Sequence, residues 1–245
     1  MVFNKESDFE EALIKILSEK GWEKEVLKNY SEEDLLRNWA DILFENNRDI
    51  DRLNDYPLTD GEMQQILEQI ETLRTPLKLN GFINGKSVSI VRDNPDDKLH
   101  FGKEISLKIY DRREIAAGQS RYQIVQQPKF PTKSSVLNDR RGDLMLLING
   151  MPVIHIELKK SGVPVSKAYH QIEKYSREGI FSGLFSLIQI FVAMDLMKRF
   201  ILLILDQMVN LIQIIIFIGQ IIITNQLTNG IKLRLHCFLF RWHIS

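Results

Sequence analysis

A chain of 245 residues allows one large domain or two small ones, with ample length to enclose a hydrophobic core. Apolar residues make up 44% and charged residues 26%, which excludes collagen-like and disordered classes. Thirty-two basic and 32 acidic side chains cancel, so no global cationic field announces nucleic-acid binding. The neutrality hides an asymmetry: residues 195–245 hold five basic groups and only two acidic ones, leaving residues 1–194 with a net charge of about −3. The single Cys237 excludes internal disulfides and fits a reducing compartment. The opening Met-Val-Phe-Asn-Lys-Glu-Ser-Asp lacks the apolar core of a signal peptide, so a cytoplasmic location is expected.

The first stretch reads as a helix. Ser7 or Asp8 can cap it, Phe9, Leu13, Ile14 and Leu17 fall on one face, and Gly21 ends it. A second helix follows the Ser31-Glu-Glu cap, with Leu35, Leu36, Trp39, Ile42, Leu43 and Phe44 as its apolar stripe. A third spans 60 to about 73 and stops before Pro76. Then the texture changes. Runs at 87–91, 105–110 and 122–126 alternate apolar and polar between Gly, Pro and Asn punctuation, as strands do. Two more apolar runs, 144–148 and 153–158, flank Asn149-Gly150, a strong hairpin signal. A helix over 166–177 and a buried strand over 187–193 complete an α/β pattern with a central mixed sheet flanked by helices, and a helical insertion at about 23–75.

The composition breaks at residue 195. Twelve of the last 51 residues are isoleucine, and 200–223 is long and apolar enough to be weighed as a membrane span. Asp206, Gln207, Asn210, Gln213 and Gln220 argue against one, so no membrane partner is expected. Codons can be chosen for 195–245 whose shifted reading gives a stop-free string of ordinary soluble composition. We therefore read this Ile-rich tail as out of frame. Earlier in the chain, Gly81-x-x-x-Gly85-Lys86-Ser87 has three residues between its glycines where a phosphate-binding loop needs four, and is rejected as one.

The informative stretch is Arg140-Arg141-Gly142-Asp143, the hairpin, and Glu157-Leu158-Lys159-Lys160. Two carboxylates from neighbouring strands supply hard oxygen ligands for Mg²⁺, which gathers charge on a phosphodiester and lowers the pKa of a water. Lys159, two residues after Glu157, shares its strand face and can offset charge in the transition state. Register is the test. A strict two-residue loop at Asn149-Gly150 sets Asp143 against Ile156, and Asp143 and Glu157 then point to opposite sides of the sheet. A three-residue connection or an equivalent bulge sets Asp143 against Glu157 and Arg141 against Lys159; Pro152, lacking an N–H, favours such an irregularity. Taken alone, these charges read as solvated strand ends, but Glu157 and Lys159 close a nearly continuous apolar run, where charges need a reason or an exit to solvent.

Gly142-Asp143, Ile156-Glu157-Leu158-Lys159-Lys160 and Gln171-Ile-Glu-Lys-Tyr175 together resemble the PD-(D/E)xK nuclease core with its Gln-x-x-x-Tyr motif. In that combination the chain resembles the N-terminal domain of the R (restriction) subunit of type I restriction-modification enzymes. Residues 149–160, Leu187-Ile-Gln-Ile-Phe-Val and the opening Glu6-Ser-Asp-Phe-Glu-Glu-Ala-Leu-Ile fit the same pattern, over roughly residues 5–194. Gly142 stands where the motif's name has Pro.

The resemblance implies a restriction-endonuclease-like fold over 1–194 and a Mg²⁺-dependent endonuclease acting on double-stranded DNA. Asp143 and Glu157 would be its metal ligands and Lys159 its catalytic lysine. Gln171 and Tyr175 would lie beside the site, with Arg140, Arg141 and Lys160 guiding DNA. The first helix can bring a carboxylate, Glu6 or Glu10, to such sites, although each reads by itself as a solvated charge. His155 shares the face of Glu157 and reads as a packed or metal-shell neighbour rather than a base, and His170 reads as surface. Methyltransferase and specificity subunits are the implied partners, and ATP is implied for full-length family members only. The rival reading is a catalytically inactive fragment serving only as a DNA- or subunit-docking module.

Overall fold

The structure, a computed structural model, describes residues 5–73, 76–83, 87–109, 120–131, 140–195, 199–206, 210–217 and 220–222. Tyr110, Gly85, Lys86 and Cys237 lie outside the described residues, and so do the side chains of the tail.

Helix α1 (Glu6–Glu19) buries Phe9, Glu10 and Leu17, and begins at Lys5 without the side-chain cap expected from Ser7 or Asp8. A short strand β1 (Val26–Lys28) follows, inside the segment expected to be helical. Helix α2 (Glu32–Asn46) starts at a capping box: Ser31 Oγ accepts from the Asp34 N–H at 3.2 Å, and Asp34 Oδ2 accepts from the Ser31 N–H at 2.9 Å. Helix α3 (Asp60–Thr72) starts the same way with Thr59 and Glu62. Helix α4 (Pro76–Ile83) was not foreseen; the proline read as a stop opens a new helix, the position at which its missing N–H costs nothing.

Strands β2 (Ser87–Val91) and β3 (Glu104–Lys108) form a separate antiparallel pair. Strand β4 (Tyr122–Gln126) returns to the main sheet, and the short β5 (Lys129–Phe130) and β6 (Arg140–Arg141) pair with each other. Next come β7 (Leu144–Ile148), β8 (Met151–Lys159), helix α5 (Ser166–Arg177), a 3-10 turn at Gly183–Leu187 and β9 (Ile190–Asp195). The expected strand over 187–193 thus begins later, because Leu187 still belongs to the 3-10 turn.

The core of the sheet runs β1-β4-β7-β8-β9, with β1∥β4 and β8∥β9 parallel and the pairs between them antiparallel. The expected α/β architecture with a central mixed sheet flanked by helices is therefore present. Within the tail, the backbone of β10 (Arg199–Asp206), β11 (Asn210–Phe217) and β12 (Gln220–Ile222) continues this sheet antiparallel from β9. Among the described residues no helix is long and apolar enough to cross a membrane.

The β7–β8 hairpin fixes the geometry of everything that follows. Asn149 and Gly150 have φ of 50° and 83°, the left-handed pair of a type I′ turn, and Ile148 pairs with Met151. The turn nestles against α2: a Cβ on Gly150 would stand 2.9 Å from Trp39 Cα. Gly150→Ala is therefore expected to lower stability by about 2 kcal/mol or more through backbone strain and collision together. Gly21→Ala, also at positive φ but with nothing within 4 Å, should cost less. Denaturant midpoints of the two variants make the comparison.

Candidate active site

A two-residue turn alone would set Asp143 and Glu157 on opposite faces. The ladder corrects this with a bulge between Leu146 and Leu147: Leu147 pairs with Pro152 but Leu146 with Ile154, so Val153 is the extra residue. Leu144 then pairs with Ile156, and Asp143 stands across from Glu157. Of the two devices that give the odd register, the bulge beside Pro152 is the one used. The expected Arg141–Lys159 pair does not form in the ladder. Instead Arg141 turns into the short sheet opposite Lys129, and its side chain is exposed.

The two carboxyls meet at the end of β8. Asp143 Oδ2 accepts from the Leu158 N–H at 2.6 Å, and Lys159 Nζ donates to the Leu158 carbonyl at 2.9 Å, so one peptide segment anchors both acid and amine. Glu157 is fully buried. Burial pushes the Asp143 carboxyl up to about 8, with repulsion from Glu157 adding to it and the Leu158 N–H and Lys159 opposing. Burial likewise pushes Glu157 up to about 8, against the attraction of Lys159. Both carboxyls hold their protons far more tightly than free ones, as a pair of like charges in a poorly solvated place must.

Helix α1 closes one side. Glu10, read alone as a solvated charge, is 3% exposed; it accepts from Gln126 Nε2 at 2.8 Å, and its charge acts on both carboxyls. Glu6 lies 3.7 Å from Lys159 Nζ. On the other side His155 is fully buried, with Nε2 2.9 Å from Glu157 Oε1. Burial lowers its pKa to about 4, so it is neutral.

The Gln171–Tyr175 pair faces the same region from α5. Gln171 Nε2 donates to the Tyr175 hydroxyl at 3.0 Å, and that hydroxyl donates to the Arg141 carbonyl at 3.0 Å, tying helix α5 to the strand entering the site. Burial, with the nearby Glu157 charge, pushes the Tyr175 hydroxyl up to about 12. Outside this pair runs an open groove of about 480 Å³, lined by Arg140, Lys159, Lys167, His170 and Lys174 as well as Gln171 and Tyr175. Lys167 and Lys174 were missed in the sequence, although 167, 170, 171 and 174 follow the spacing of one helix face. Arg140 is held by two hydrogen bonds to Glu178 at 3.0 and 3.1 Å, while Lys160 is exposed at the end of the strand.

Among the described residues no three His, Cys, Asp or Glu side chains form a ready-made metal cage. The chemistry of the pair nevertheless suits a hard cation. No donor reaches Glu157 Oε2 although it is buried, and two acids forced together are relieved when a cation replaces their protons. Asp143 and Glu157 are therefore the residues that could hold one.

The family model for the type I restriction enzyme R protein N terminus matches residues 4–201. The chain is 33% identical over 192 residues to the Type I restriction enzyme SsaAORF53P endonuclease subunit of Staphylococcus saprophyticus, a match covering 78% of this chain and 18% of that protein. It is 28% identical over 192 residues to the SauCOLORF180P endonuclease subunit of Staphylococcus aureus, with the same coverage. It is also 36% identical over 93 residues to the EcoprrI endonuclease subunit of Escherichia coli, covering 37% of this chain and 28% of that protein. The chain thus spans less than a fifth of the length of the staphylococcal relatives. With a matching family model across most of its length, the chain belongs to the family of type I restriction enzyme R protein N-terminal domains.

Proposed function

We propose that residues 1–194 form a PD-(D/E)xK endonuclease domain that hydrolyses phosphodiester bonds of double-stranded DNA with Mg²⁺, as the cutting part of a type I restriction-modification complex. The observation that carries this reading is the convergence of two proton-retaining carboxyls, Glu157 buried and Asp143 half-buried, and the Lys159 amine at one strand end, beside a groove lined with basic groups. Asp143 and Glu157 would hold the Mg²⁺, whose contribution when bound is a more acidic water and neutralised phosphate charge. Lys159 sits on the same strand face as Glu157, anchored by the Leu158 carbonyl, where its ammonium offsets negative charge developing on the phosphate. Arg140, Lys167 and Lys174 would grip the backbone of the duplex; Gln171 and Tyr175 fix α5 against the site. The proposal extends to the cytoplasm as location. It also covers methyltransferase and specificity subunits as partners that read the sequence, ATP as a requirement of longer family members only, and the tail 195–245 as an out-of-frame segment.

The test is nicking of supercoiled plasmid by the purified chain with Mg²⁺ or EDTA. Metal-dependent nicking, reduced at least about 100-fold in Lys159→Ala, is the expected result. Duplex binding by a folded chain that never cuts would instead favour the docking module.

A further inference from the structure

His155 has no place in the chemistry just described, yet it is among the most confined side chains in the molecule. It is fully buried among Phe130, Phe181 and Phe191, whose ring centroids lie 5.4, 5.7 and 6.1 Å from its own. A polar ring in such a place costs stability unless it does something for its partner. Its Nε2 lies 2.9 Å from Glu157 Oε1; its Nδ1 has no hydrogen-bond partner. Once a cation has displaced the Glu157 proton, only one neutral tautomer is compatible, with the proton on Nε2 donating to Oε1.

The consequence for Glu157 is definite. With Oε1 occupied by His155, Oε2 is the oxygen left without a donor. At Asp143, Oδ2 is likewise occupied by the Leu158 N–H. Each acid is thus fixed through one oxygen, and the two side chains lie within hydrogen-bond reach of each other.

Gly142 belongs to the same device. A Cβ there would collide with His155 Cε1 and stand 3.1 Å from Phe130 Cε2 and 3.2 Å from His155 Nδ1. The glycine in the position named for proline thereby makes room for the imidazole.

We propose that His155 is a positioning residue that holds Glu157 through Oε1 so that only Oε2 is presented to a divalent cation, and that Gly142 is present to admit it. The inference rests on the reading of Asp143 and Glu157 as metal ligands. Its test is Mn²⁺ affinity of the 245-residue chain, by electron paramagnetic resonance of free Mn²⁺, alongside the melting temperature in EDTA. His155→Met, apolar and similar in length, should fold as stably as the wild type in EDTA yet bind Mn²⁺ at least about tenfold more weakly. His155→Gln, whose amide nitrogen reaches where Nε2 stood, should bind within about threefold of wild type. Gly142→Ala displaces the ring without removing a donor and should show the same tenfold loss, which keeps the test in hand if His155→Met fails to fold.

Wild-type affinity in both His155→Met and Gly142→Ala would overturn the inference. So would equal losses in His155→Met and His155→Gln, which mark packing alone. A wild-type chain that binds no Mn²⁺ would instead overturn the metal-site reading beneath it.

Discussion

Asp143→Asn is expected to abolish Mg²⁺-dependent nicking, by 10³-fold or more, while making the metal-free protein more stable at pH 8. The two effects have one cause. The Asp143 carboxyl has its pKa pushed up to about 8 in the fold, by burial and then by Glu157, against about 3.9 in an unfolded chain. A group whose pKa is raised by folding contributes its stability fully below the unfolded value and loses it as pH rises through the folded one. In metal-free buffer the wild type should therefore weaken progressively from about pH 4 to about pH 8. Asparagine is neutral throughout, so the variant should gain on the wild type across that window. The gain is on the order of 2 kcal/mol at pH 8, kept modest because Asp143 is only half-buried. Divalent ions reverse the order. They displace a proton from each acid, so wild-type affinity should improve by up to about a hundredfold per pH unit until about pH 8 and then level off, whereas Asp143→Asn, which keeps only Glu157, should improve by no more than about tenfold per unit. Thermal melts in EDTA and in Mg²⁺ across pH 5–9 give the whole result. A variant less stable than wild type at pH 8 in EDTA would mean that the carboxyl serves the fold, and the reading of a strained metal site would fall.

That strain was only half visible in the sequence. Asn149-Gly150 announced the hairpin, and the requirement that Asp143 and Glu157 share a face demanded an odd register, which the ladder supplies. Where the extra residue sits was not legible, since Pro152 flags an irregularity without fixing whether turn or strand absorbs it. Helix α5 was read to its ends because Gln171 and Tyr175 fall on one face and the helix carries a strong amphipathic pattern. Glu10 was misjudged for a general reason. A glutamate on a surface helix looks solvated until the docking of that helix is known, and the docking depends on Gln126, more than a hundred residues away. Strand β1 was invisible because three residues of a parallel edge carry no period, and its partner β4 is equally remote. Half of the groove was legible, since Arg140 and Lys159 stand in local runs of charge, but its other wall was not, because Lys167 and Lys174 are spaced along α5 and no run marks them.

The segment from Leu53 to Phe101 poses a different question, and Arg92→Met should answer it with the largest loss of stability in the molecule. The Arg92 side chain is fully buried, as are its partners Glu62 and Asp97. Its guanidinium donates to Glu62 Oε2 at 2.6 Å and Asp97 Oδ2 at 3.0 Å. It also donates to the backbone carbonyls of Leu53, Tyr56 and Pro57 at 3.3, 2.6 and 3.2 Å, a planar fork used on every side. Glu62 is at once the return half of the α3 capping box and the acceptor of the Asp93 N–H at 2.8 Å. One residue therefore fastens the start of α3, the loop before it and the exit of β2.

Methionine fills the volume but leaves Glu62 buried without a counter-charge and Asp97 with only His100, whose Nδ1 lies 3.0 Å from Oδ2, a loss of about 3–5 kcal/mol. Adding Glu62→Gln and Asp97→Asn to Arg92→Met should recover part of it, because the penalty lies in the stranded charges more than in the lost bonds. Denaturant melts of the single and triple variants measure both. The hydrogen bonds and ion pairs of Arg92 go to Glu62, Asp97 and the loop carbonyls, and not to Asp143, Glu157 or Lys159. At a temperature where Arg92→Met is still folded, its Mg²⁺-dependent nicking should match the wild type within about twofold. A tenfold loss in the folded variant would instead show that this lobe sets the geometry of the carboxyl pair, through the packing of α3 on the 3-10 turn before β9.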